Sequence, residues 1–169
     1  TNLDHYKKIS SETSLEKTEI SKWNKTINNI YLPYCKDLDV FIQNDGFLNK
    51  DLLPVNSIPI DQRPINQHWS WDKILRSPYI KQADVLQGFY FFEDDFSKEE
   101  LLNNFNYYEQ FTVHESSLSA CIHSILASKA NDLNKAYDYF VRASRLDLDD
   151  YNKEIKQGLH ITSMGGTWM

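Results

Sequence analysis

Two neighbouring stretches constrain this chain most. "ESSLSACIHSILASKAN" carries Leu118, Cys121, Ile122, Ile125 and Leu126 at helical spacing, and "DLNKAYDYFVRASRLDL" carries Leu133, Ala136, Tyr137, Phe140 and Ala143 the same way. Apolar residues at that spacing line one face of a helix, and the face leaves water only against another surface. Asp132 stands where an N-cap belongs, which predicts two helices joined by a short turn. Helices joined by short turns, with polar motifs at their ends, describe an α/α array.

The rest of the chain repeats the pattern. "SLEKTEISKWNKTINNIYLP" places Ile20, Trp23, Ile27 and Ile30 on one face, with a capping box expected at Thr13 to Glu16 and a stop at Pro33. "RSPYIKQADVLQGFYFF" predicts a helix capped by Ser77, with Pro78 at its first position and Ala83, Leu86, Phe89 and Tyr90 as its stripe. Ser97 and Glu100 form a second capping box, opening a helix through Leu101, Leu102 and Phe105. Between these lies something different. Val40 to Gln43 reads as a short strand, followed by a turn at Asn44-Asp45-Gly46. An irregular stretch holding Pro54, Pro59 and Pro64 follows, and so long a loop in a compact domain is usually functional.

Composition limits what such an array can do. At 169 residues the chain fits one domain, 1–169, able to bury a core. Its net charge is −6, and its 18 Lys and Arg are scattered. Phosphate-backbone binding needs clustered positive charge, so no nucleic-acid partner is expected. No apolar run reaches membrane-spanning length and no signal-peptide pattern opens the sequence, so no membrane partner is expected. Cys35 and Cys121 fit a reducing, cytoplasmic compartment. Aromatic content of 14% suits a core of rigid rings or a carbohydrate cleft. Trp69 and Trp71 read as packing residues, with a sugar platform as the alternative.

Three polar motifs stand out. Lys81 and Gln82 in "IKQADV" serve either as a solvated helix face or as hydroxyl-recognising donors, since an ammonium donates three hydrogen bonds and an amide both donates and accepts. His114 and Glu115 in "TVHESSLS" precede a helix. The helix dipole alone accounts for an acid there; in a cleft the pair could bind hydroxyls or activate water. "LHITSMGGTW" combines His160, Ser163, Thr167 and the Gly165-Gly166 pair. It reads either as a plain glycine turn or as an anion cradle of backbone N–H groups, hydroxyls and an imidazole. None of the five His has ligand spacing with Cys, so no metal is expected. "DLDDYNKE" (Asp147, Asp149, Asp150, Glu154) resembles a calcium loop only faintly and reads as a polar inter-helix turn.

"RPINQHWSWDKILRSPYIKQADVLQGFYFFEDDF", "FTVHESSLS", "SRLDLDDYN" and "GLHITSMGGTW", in that order, resemble the C-terminal half of the catalytic barrel of the disaccharide phosphorylases in family 65 of the glycoside hydrolases. The resemblance spans nearly the whole chain. It implies an all-α fold, part of an (α/α)6 barrel of six-hairpin glycosidase type. It also implies an inverting reaction, maltose plus inorganic phosphate giving β-glucose 1-phosphate and glucose. No cofactor is implied; inorganic phosphate is the co-substrate. Lys81, Gln82, His114 and Glu115 then match the sugar side, Glu115 as a cleft carboxylate, and His160, Ser163, Gly165 and Gly166 match the phosphate loop. The family's general acid lies in a "GPDEY" motif that these residues lack. The resemblance therefore implies a segment incomplete at both ends and inactive alone, with the rest of the parent polypeptide as its partner. A homodimer is compatible with it. Two alternatives stay open: a segment of a related α-glucoside hydrolase, in which Glu115 activates water, and a non-catalytic helical sugar-binding or interaction module.

Overall fold

In the computed structural model residues 2–151 and 153–169 are described, and the chain divides into two units, Thr1–Leu32 and Pro33–Met169. The first holds α1 (Leu3–Glu12) and α2 (Lys17–Ile27). The expected capping box is shifted. The Thr13 hydroxyl donates back to the Ile9 carbonyl at 2.8 Å, so Thr13 closes α1 rather than opening α2. Ser14 turns the chain at a φ of 53°, and Glu16 becomes the N-cap, its N–H donating to the Glu19 side chain. α2 ends at Ile27, short of Ile30 and Pro33.

The second unit begins with a two-residue ribbon. β1 (Tyr34–Cys35) pairs antiparallel with β2 (Val40–Phe41), Tyr34 opposite Phe41 and Cys35 opposite Val40. The expected turn follows, with Gly46 at a φ of 78°, a conformation glycine adopts without steric cost. The Tyr108 hydroxyl donates to the Phe41 carbonyl and accepts the Gln43 N–H at 3.0 Å. Asn104 accepts the Phe41 N–H at 2.9 Å. These bonds give the ribbon's backbone groups partners that water would otherwise supply. The proline-bearing stretch is punctuated rather than structureless, with α3 (Ile65–His68), α4 (Trp71–Arg76) and single helical turns between the prolines.

The helix expected from Pro78 starts later. Ser77 closes α4, and α5 runs Val85–Phe91. Residues 79–84 are held out of helix by tertiary pairing: the Ile80 N–H donates to Phe111 and the Val113 N–H to Ile80, both at 2.9 Å. Lys81 and Gln82 therefore sit on an irregular, bent segment, not on a helix face. α6 (Lys98–Glu109) opens on the expected box, Ser97 and Glu100 exchanging bonds of 3.1 and 2.8 Å.

α7 (Ser119–Lys129) is the centre of the unit. Ser119 to His123, Leu126 and Ala127 are buried, so the helix is enclosed nearly all round rather than on one stripe. α8 (Leu133–Ser144) packs against it, with the Ser124 hydroxyl donating to the Ala136 carbonyl at 2.8 Å. The expected α8 stripe is only partly used. Ala143 is buried and Ala136 half-buried, whereas Leu133 and Tyr137 are about two-thirds exposed. The small residues admit close approach to α7, and the large ones lie off that contact. α9 (Ile161–Trp168) packs on α7 and α8. Among the described residues there are nine α-helices and one two-stranded ribbon, an all-α architecture consistent with part of an (α/α)6 barrel.

Candidate functional site

The pairing that delays α5 also builds a site. Ile80 bridges Thr112 in parallel, and one step further the Glu115 N–H donates to the Lys81 carbonyl at 3.2 Å. The Gln82 side-chain oxygen accepts the Ser116 hydroxyl at 2.7 Å. Two motifs distant in sequence thus lie side by side, joined by a single parallel bridge, with the Lys81 side chain exposed beside Glu115.

Glu115 is 6% exposed and faces the head of α3. Its two oxygens accept the N–H groups of Ile65 (2.7 Å) and Asn66 (3.4 Å). Burial raises its proton affinity above the ordinary carboxylate range; those N–H donors, Arg63 and Lys81 oppose the rise. The carboxylate is anchored rather than loose, so it can present a fixed acceptor to a hydroxyl.

His114 carries a φ of 55°, in the left-handed region that few non-glycine residues enter. It is held on three sides. Nδ1 lies 2.8 Å from the Ser119 hydroxyl, Nε2 lies 2.9 Å from the Tyr139 hydroxyl, and the carbonyl accepts from Arg142 at 2.7 Å. Burial holds the ring well below the ordinary imidazole range, with His123 and Arg142 adding to the effect. His123 stacks edge-on against it at 4.4 Å and is fully buried, and among the described residues neither ring nitrogen has a hydrogen-bond partner. Sequence reasoning missed Tyr139, Arg142 and Glu109. The first two stand three apart on α8, so they share a face, and that spacing was the available signal.

The glycine motif behaves differently from the turn expected. Gly165 and Gly166 lie inside α9, where backbone N–H groups bond within the helix and are not free to cradle an anion. A Cβ at Gly166 would sit 2.6 Å from the Cys121 sulfur, so the glycine allows α9 to close on α7. The Ser163 hydroxyl is buried and donates to Ala143 at 3.2 Å, and the Thr167 hydroxyl donates to Ser163. His160 stands at the head of α9, where Asp147 accepts both its N–H (2.8 Å) and its Nδ1 (2.6 Å), and Glu154 lies 3.9 Å from Nε2. The bond from His160 holds the Asp147 carboxyl below its usual range. Two carboxylates flank one imidazole, so an oxyanion held there needs further cationic donors.

The two groups occupy different flanks of α8. Arg142 reaches His114, while its neighbour Ala143 receives Ser163. A cavity of about 300 Å³ beside His160 is lined by Leu146, Leu148, Leu159, Ser163 and Met164; Lys81 and Gln82 do not line it. Trp69 packs as expected, on Tyr79 and under the Lys73 ammonium, with its N–H on Gln62. Trp71 does not, being 74% exposed. In "DLDDYNKE", Asp147 binds His160, Asp149 binds Arg145 and Asp150 accepts the Ile155 N–H, so the aspartates are spent on the turn. Asn152 of that motif lies outside the described residues.

Comparison with known proteins agrees with this architecture. Residues 1–169 match the glycosyl hydrolase family 65 central catalytic domain. The chain is 50% identical over 155 residues to a maltose phosphorylase of Bacillus subtilis, covering 92% of this chain and 20% of that protein. It is 46% identical over 163 residues to an α,α-trehalose phosphorylase of Thermoanaerobacter brockii, covering 96% and 21%. A solved structure from the human microbiome, assigned as a kojibiose phosphorylase, superposes with a TM-score of 0.83 at 41% identity, covering 96% of this chain and 22% of its own. The chain spans about a fifth of the length of these relatives. With its full length matched and its helices superposing on a solved relative, the chain belongs to the central catalytic domain of glycosyl hydrolase family 65.

Proposed function

We propose that this chain forms part of an inverting disaccharide phosphorylase that cleaves maltose with inorganic phosphate to β-glucose 1-phosphate and glucose. The observation that carries the reading is the pairing of residues 80–82 with 112–116, which sets Lys81, Gln82 and Glu115 side by side. The exposed ammonium, the amide and the anchored carboxylate supply donors and acceptors for sugar hydroxyls; His114 supports them from beneath. The similarity to a maltose phosphorylase supports the choice of disaccharide.

Inversion needs an acid on the leaving oxygen and a nucleophile on the opposite face of the sugar. Phosphate arrives charged, so the protein has to hold it rather than deprotonate it. We place the phosphate side near His160, with Ser163, Gly165 and Gly166 shaping the helix that carries the imidazole. The further cations and the general acid come from the rest of the parent polypeptide, so the isolated segment turns over nothing. No step requires a cofactor, and the reading is of a cytoplasmic enzyme.

The test is product analysis with the full-length protein. Glucose 1-phosphate should form from maltose, strictly with added phosphate, and faster than from trehalose or kojibiose. Phosphate-independent glucose release would replace this reading with a hydrolase, and binding without turnover would leave a sugar-binding module.

A further inference from the structure

We propose that Tyr139 is a positioning residue for the Glu115 carboxylate and acts through His114. The inference rests on the reading that Glu115 meets the sugar. A chain of half-buried polar groups runs from α6 and α8 to the buried His114 ring. The Lys135 ammonium lies 3.5 Å from Glu109, Glu109 accepts the Tyr139 hydroxyl at 2.9 Å, and Tyr139 meets His114 Nε2 at 2.9 Å.

The proton inventory along this chain is determinate. A phenol has one hydrogen, and Tyr139 spends it on Glu109. The phenol oxygen therefore accepts from His114, which must carry its proton on Nε2. In a neutral ring Nδ1 is then the acceptor, and the Ser119 hydroxyl donates to it at 2.8 Å. Burial keeps the ring neutral, and His123 and Arg142 oppose its protonation as well.

One tautomer thus fixes a residue whose backbone is unfavourable. At a φ of 55°, His114 stays left-handed only while its surroundings over-determine it. Its ring and carbonyl bonds do so, and the direction of the next peptide follows. That peptide places the Glu115 N–H on Lys81 and the Glu115 carboxylate on α3. If Nε2 loses its acceptor, the ring is free to exchange tautomers and swing, and the Glu115 amide and carboxylate move with it.

The experiment compares wild-type, Tyr139→Phe, Glu109→Gln and Glu109→Ala full-length protein. Histidine nitrogen shifts read the tautomer, amide hydrogen exchange reads the Glu115–Lys81 bond, and steady-state kinetics with maltose and phosphate read the site. Tyr139→Phe should lose the Nε2–H signature and Glu115 protection, and should raise KM for the disaccharide about tenfold with kcat within about twofold. Glu109→Gln keeps an acceptor oxygen for Tyr139 and should resemble wild type, whereas Glu109→Ala should resemble Tyr139→Phe. A Tyr139→Phe protein with an unchanged tautomer, or with a changed tautomer and unchanged KM, overturns the proposal, as does a fall in kcat at constant KM with lowered Tm, which marks a merely structural bond. If wild type shows no phosphorolysis, the functional reading fails separately, and the nitrogen shifts and exchange rates still decide whether Tyr139 positions Glu115.

Discussion

The N–H of Glu115 donates to the carbonyl of Lys81 at 3.2 Å, and this bond turns two remote polar motifs into one surface. Neither residue sits on a regular helix. Each is held by the pairing that begins at Ile80 and Thr112. Lys81 keeps its ammonium in solvent while Glu115 is buried at the head of α3, so a sugar would meet one mobile donor and one fixed acceptor.

Glu115 should make stability depend on pH in a recognisable direction. Burial raises its folded proton affinity above the ordinary value of 4.5. The folded chain then keeps this proton longer than the unfolded chain. The contribution is fully present below the unfolded value and is lost as pH rises through the folded one. Glu115→Gln cannot ionise and should flatten that fall, measured by urea unfolding between about pH 4 and 7. Parallel curves for the two proteins would assign the dependence elsewhere.

His123 should act with the opposite sign. Burial pushes its value from 6.5 down to about 3, so the unfolded chain binds a proton that the folded core refuses. Stability should fall as pH drops below 6.5 and continue falling toward about 3. His123→Phe removes from the core two ring nitrogens that have no partner among the described residues, and should be neutral or stabilising at pH 7, with a weaker acid dependence. A loss exceeding about 2 kcal/mol would show that a nitrogen has a partner in the folded protein.

The two glycines of α9 should separate cleanly. Nothing lies near a Cβ at Gly165, so Gly165→Ala should stabilise the helix by about 0.5–1 kcal/mol. Gly166→Ala drives a Cβ into Cys121 and should cost about 1–3 kcal/mol, partly relieved by Cys121→Ala. Thermal unfolding measures both. A Gly165→Ala protein of wild-type stability with strongly weakened phosphate binding would restore the glycine pair as an anion cradle.

The pair formed by Asp147 and His160 should govern part of the acid limb. The bond from His160 holds the Asp147 carboxyl below 3.8, so its contribution is present above that value and is lost as pH falls through the folded one. Asp147→Asn should therefore lower stability at neutral pH and leave it nearly unchanged in strong acid. Equal losses at both ends would mean that packing, not charge, holds His160.

Much of the helical array was legible in local signals. The boxes and caps at Ser97 and Asp132 and the turn at Gly46 are decided within a few residues, by hydrogen bonds the chain makes to itself. Family membership was legible too, because long ordered motifs carry it. The start of α5 was not. "RSPYIKQ" contains a sound helix signal, and only strand-like bonds to residues 111–113 override it.

The same division runs through the site. Local chemistry names Lys81, Gln82, Glu115 and His160 as groups able to bind, because donors and acceptors are intrinsic to each side chain. Local chemistry could not place Gly165 and Gly166 in a helix packed on Cys121, nor find Tyr139 behind His114. Those facts depend on which helix faces meet. Side-chain packing between α7, α8 and α9 sets that, and no single segment encodes it.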